Sequence, residues 1–149
     1  MEHGPWWAAL TTWVVVNLVN VAQTVGFASR SGHGMAVNRL LGLVIAALSV
    51  PATIALVGFV RAGNLWWVGP AVFDAFTVLM LCVDYVWPVE WRRPARPSIL
   101  IPYVSLFFGS ILLMGIPMYT LNRGLWMVTV VTSAALLISM TVAIRGGAG

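Results

Sequence analysis

Asp74 and Asp84 lie in the stretch LWWVGPAVFDAFTVLMLCVDYVWPVEWRRPARP, Leu65 to Pro97, inside an otherwise hydrophobic run. Carboxylates in such a setting can share a proton as a catalytic dyad, pass a proton or cation across a membrane, or hold a hydrogen bond between helices. The dyad is excluded within one chain: ten residues on a helix separate the two acids by ~15 Å along the axis, and a shared proton needs contact distance. Asp74 falls nine residues into its span, ~13 Å along a hydrocarbon core of ~30 Å, so it sits near the midplane. A charged carboxylate there costs several kcal/mol unless it is protonated, paired or hydrated, and no arginine shares its depth. Two expectations stand side by side: a proton- or ion-handling acid, or a neutral acid bonded to a neighbouring helix. Its own helix face carries Thr77 and Tyr85.

A second constellation follows at the end of this span. Asp84 and Glu90 stand among Arg92, Arg93 and Arg96, behind a belt of Tyr85, Trp87 and Trp91. Arginines at headgroup level attract anionic lipid, each contributing roughly 1 kcal/mol. The group reads either as topology-setting charge with Asp84 and Glu90 folding the arginines back, or as a site for lipid phosphate or another acidic ligand. A third constellation is the stripe Trp13, Asn17, Asn20 and Thr24 on the first span, which falls within about 60° of helix circumference. Such a stripe faces other helices, as interhelical hydrogen bonding or as the lining of a ligand or ion cavity. Asn17 is 11 residues into the first span and Asp74 nine into the third. Spans one and three cross in the same direction, so the two side chains differ in depth by only ~3 Å. These helices are therefore expected to pack together, with Asn17 and Asp74 in contact or bridged by water.

The elements that must position these groups follow from composition. Of 149 residues, 60% are hydrophobic and 8% charged, with a mean hydropathy of +0.94. A soluble domain carries about 25% charged residues, so water cannot be the main solvent of this surface. At ~20 apolar residues per crossing, the length is used up by five spans and their connections. These are expected at about 6–28, 40–60, 65–87, 98–121 and 125–144, giving an all-α integral membrane protein, a five-transmembrane-helix bundle forming one membrane domain over 1–149. The leader MEHGPWW has no Lys or Arg, so the first span reads as a retained helix rather than a signal peptide. Gly42 with Ala46 and Ser105 with Gly109 are spaced for close helix approach. Pro51 is expected to kink the second span, with Ser49 or Thr53 satisfying the carbonyl it frees.

All eight basic residues are arginines. Arg30, Arg39, Arg92, Arg93, Arg96 and Arg145 fall on one side of the expected topology, and Arg61 and Arg123 on the other. The positive-inside rule puts the six in the cytoplasm, the amino terminus outside and the carboxyl terminus inside, in a cell (inner) membrane. Arginines scattered in this way do not form a nucleic-acid surface. Cys82 is the only cysteine, which excludes an internal disulfide and a cysteine-based metal site, and His3 and His33 fall on opposite sides, against a haem between them. No glycine-rich phosphate loop, G-x-S-x-G or H-E-x-x-H is present. No cofactor, metal or catalytic residue is expected.

The reading that follows is a protein acting by binding: a lipid or lipophilic molecule between helices, or a membrane complex in which it is an accessory subunit. Anionic headgroups on the cytoplasmic side, a membrane-protein partner or a second copy are its expected partners. The alternative is a dimeric proton- or cation-coupled transporter using Asp74, with Asn17, Asn20, Thr24, Thr77 and Tyr85 as the surrounding site. Third is an enzyme acting on lipid headgroups with Asp84 and Glu90 as acid and base and Arg92, Arg93 and Arg96 on phosphate.

Overall fold

A computed structural model describes residues 5–29, 34–88 and 96–146, the side chains at 34–36 excepted. His3, the His33 loop, Glu90, Trp91, Arg92, Arg93 and the last three residues lie outside the described residues. The described chain is helical throughout, without strands, and five of its helical stretches are long and apolar enough to cross a membrane.

Helix α1 runs Trp6–Ser29 and α2 Gly34–Arg61. The expected polar loop before Leu40 is thus shorter than its composition suggests, because α2 begins six residues earlier. The third span is composite: a 3-10 turn at Leu65–Trp67, helix α3 at Val68–Leu81, and a π-helical turn at Cys82–Val86. Helices α4, Pro97–Leu121, and α5, Arg123–Arg145, complete the bundle.

The connections follow from local chemistry. After α2, Gly63 takes a left-handed φ of 65°. The Gly63 N–H then donates to Val60 O and the Asn64 N–H to Phe59 O, both at 3.0 Å, closing a Schellman turn. Asn64 caps the next element by accepting from Trp66 N at 2.8 Å. Asn122 serves both neighbours: its N–H donates to Met118 O at 2.8 Å, ending α4, and its side chain accepts from Leu125 N at 3.1 Å, starting α5. Turns this tight force α2 to lie against α3, and α4 against α5.

Helices α1 to α4 form a ring, with α1 also touching α4, and α5 packs against α1 and α4. One cluster fills the ring, with Phe73, Phe76 and Met80 of α3 against Phe107, Ile111 and Met114 of α4 and Val15, Val16 and Val19 of α1. A smaller cluster at the Arg61 end joins Ala8, Ala9, Ala55, Phe59 and Met118. Helices α3 and α4 approach closely at Gly69, where a Cβ would stand 2.8 Å from the backbone nitrogen of Met114. The pair expected to do this on α4 does not: Ser105 is exposed, and a Cβ on Gly109 would meet Val72 only at 4.0 Å.

Candidate functional site

The residues singled out in the sequence fall into three separate places. The first is the α1–α5 seam. Trp13 Nε1 donates to Leu125 O at 2.8 Å, Asn17 Nδ2 to Thr129 Oγ1 at 3.2 Å, and Asn20 Nδ2 to Thr132 Oγ1 at 3.1 Å and Ser133 Oγ at 3.0 Å. Thr132 Oγ1 returns a bond to Asn17 Oδ1 at 2.8 Å, and Ser139 Oγ donates to Thr24 O at 2.9 Å. Three of these rungs join residues 112 positions apart. A constant difference in number is the signature of parallel helices in one-to-one register, as an odd number of crossings between first and last span requires. Positions 13, 17, 20 and 24 step by four, three and four, which keeps one seam facing a parallel partner. One atom is left over: Asn20 is fully buried, and its Oδ1 has no hydrogen-bond partner among the described residues.

The second place is the α2–α3 seam, and it overturns the expected pairing of Asp74 with Asn17. Asp74 Oδ2 accepts from Thr53 Oγ1 at 2.9 Å, while Asn17 bonds to Thr129 and Thr132 of α5. Span direction and depth were satisfied by that pairing, but neither measures which way a helix faces. Asn17 spends its amide on α5, and Asp74 turns towards α2. The Thr53 hydroxyl lies equally close to Ser49 O, 2.9 Å, so its single proton is shared between that carbonyl and the carboxylate. This pair has a partner in either protonation state: a carboxylate accepts from Thr53, and a carboxylic acid can donate to Thr53 Oγ1 while the hydroxyl turns to Ser49 O. Asp74 Oδ1 is shielded and has no hydrogen-bond partner among the described residues. Thr53 itself is exposed on the outside of the bundle and Asp74 is half-buried, so the seam opens outwards.

The proline expectation also needs correction. The carbonyl freed by Pro51 belongs to Ala47, whereas Ser49 donates to Ala46 O and Thr53 to Ser49 O. Helix α2 continues unbroken through Pro51.

The third place is the far end of span three. Tyr85 Oη donates to Arg39 O at 2.6 Å and packs on Gly42, so the small residue expected to receive a helix backbone receives a phenol. Tyr103 Oη donates to Asp84 Oδ2 at 3.3 Å. The π-helical turn, closed by Trp87 N–H on Cys82 O at 2.8 Å, widens the helix where these contacts form. Tyr85 is 11 residues from Asp74, ~16 Å along the axis, so it does not belong to the Asp74 site. Thr77 is buried and spends its hydroxyl on Phe73 O. Arg96 is exposed at the start of α4.

Sequence reasoning missed a fourth feature. Between α1 and α2 lies an open, mainly apolar groove of about 260 Å³, lined by Trp7, Ile54, Val57, Gly58 and Arg61. Gly58 makes it: the Trp7 ring lies over this glycine, where a Cβ would come within 2.6 Å of it. Its signal in the sequence was the spacing of Ile54, Gly58 and Arg61, one face of α2 ending in a cation. No group of three or more metal-ligating side chains occurs among the described residues. Compared with protein families, characterised proteins and solved structures, the chain shows no match.

Proposed function

We propose that this chain is a small polytopic membrane protein that acts by binding a lipid or lipophilic molecule, with the lipid-facing side of α2 as its working surface. The groove at Trp7, Ile54, Val57, Gly58 and Arg61 carries this reading. It is apolar, open to the side on which lipid would lie, and ended by a cation, which suits a ligand that partitions into the bilayer. The arginine bias orients the bundle with the Arg61 end outside and Arg96 and Arg145 in the cytoplasm of a bacterial-type inner membrane. A photoreactive lipid analogue incorporated into liposomes with the purified protein tests the binding. Cross-links concentrated on α2 are expected, and labelling spread evenly over all five helices refutes the reading. Cysteine labelling in intact cells tests the orientation, with residues next to Arg61 reactive from outside and those next to Arg145 protected.

A second reading, proton- or cation-coupled transport through a dimer, has its own observation. Asp74 has one oxygen on Thr53 and the other without a partner, and the pair accommodates both protonation states. Purified protein in liposomes under a pH gradient decides it: coupled flux should vanish in Asp74→Asn while folding persists. Equal flux in the variant removes Asp74 from the mechanism.

A further inference from the structure

We infer that the groove seats one acyl chain of a membrane phospholipid, with the lipid phosphate on the Arg61 guanidinium. This deepens the binding reading above and rests on it. Ile54 to Arg61 spans seven residues, ~10 Å of helix, so the groove occupies about the outer third of a ~30 Å hydrocarbon core. That is the depth at which a chain joins its headgroup, and Trp7 stands at the level of an interfacial aromatic belt. The groove walls are apolar and outward-facing, with Ile54 56% and Val57 42% exposed.

The cation is what selects a phosphate. Two described arginines lie at this end of the bundle, and they are used differently. Arg123 stacks over the Tyr119 ring, 5.4 Å from its centroid. Arg61 ends α2 at the mouth of the groove, exposed and without a hydrogen-bond or ion-pair partner among the described residues. An arginine so placed offers a planar fork of donors to a phosphodiester, and the apolar walls below it take the chain. Gly58 makes room for the Trp7 ring against α2, where a Cβ would come within 2.6 Å of it.

The test uses the full chain in mixed micelles. Phosphatidylglycerol and a diacylglycerol, both with a diazirine on the acyl chain, are compared by native mass spectrometry and by mapping cross-linked peptides. Wild type should prefer the phosphate-bearing lipid by about fivefold, the contribution of roughly one arginine at a lipid surface. Cross-links should fall on residues 6–12 and 54–61. Arg61→Gln should erase the preference, Arg61→Lys should keep most of it, and Arg123→Gln should leave it unchanged. Groove cross-links with no phosphate preference, or a preference surviving Arg61→Gln, would overturn the phosphate assignment and leave the binding reading standing. Cross-links scattered over the whole bundle would sink both. A dimer mass without bound lipid, with the groove protected, would assign it to a second copy and also overturn the proposal.

Discussion

Along α1–α5, six interhelical hydrogen bonds run from Trp13 to Ser139, all at 2.8–3.2 Å, and nearly every polar group is matched. Across α2–α3, one bond of 2.9 Å joins Thr53 to Asp74, the hydroxyl is shared with Ser49 O, and the other carboxylate oxygen has no partner. Both seams place short polar side chains in apolar helices. The first distributes them over ~16 Å in a parallel register, so each rung holds the next in place. The second concentrates a titratable acid at one point of an outward-opening groove. In the membrane setting proposed above the contrast matters, because apolar burial supplies little force between helices in lipid and hydrogen bonds with close packing must supply it. The α1–α5 seam has the features of a frame, and the α2–α3 seam holds a single acid with one oxygen unpartnered among the described residues.

The largest expected effect breaks the frame. Asn17→Leu with Asn20→Leu removes four interhelical bonds, and at ~0.6 kcal/mol each the bundle should lose ~2 kcal/mol. Unfolding in mixed micelles of increasing denaturing-detergent content measures it, and an unchanged midpoint would mean that the ladder contributes nothing. Asp74→Leu should cost less, under ~1 kcal/mol, because it also removes the unpartnered oxygen and leaves the Thr53 hydroxyl bonded to Ser49 O. A loss as large as that of the double variant would show that both seams are structural and would erase the contrast. Asp74→Asn, which keeps an acceptor for Thr53, should leave the midpoint where wild type has it. Among the ladder variants the smaller effect belongs to Trp13→Phe, which deletes one rung, for ~0.6 kcal/mol, and trims the ring. A double-mutant cycle with Thr129→Val sharpens it: neighbouring rungs that support each other give a nonzero coupling, and independent rungs give strict additivity.

The polar stripe shows how far the residues alone could lead. Its spacing predicted that Asn17, Asn20 and Thr24 face other helices, and they do. The partner differs from the expected one: matching depth pointed to Asp74, whereas Thr129, Thr132 and Ser133 of α5 take the two asparagine amides. Thr53 entered only as a companion to Pro51, although it is the residue that Asp74 bonds. The groove at Gly58 was not foreseen, since a glycine in a helix has no side chain to mark the notch it leaves.

Five spans, their lengths and the arginine bias are determined by the sequence itself, because each depends on quantities local to a segment. These are the apolar residues set against a fixed hydrocarbon thickness, and the charge left at each end. The parallel pairing of α1 with α5 was implied only as a direction. Which of five helices Asn17 meets depends on the azimuth of each helix about its own axis, and a turn of 100° moves a side chain from one neighbour to the next. That azimuth is decided by the whole bundle at once: Gly69 letting α3 close on Met114, Phe73 and Phe76 filling the ring, and the turns at Gly63 and Asn122 setting the neighbours. Tertiary packing therefore gave Asp74 to Thr53 and Asn17 to Thr129 and Thr132, since no property of either residue could choose between partners at equal depth.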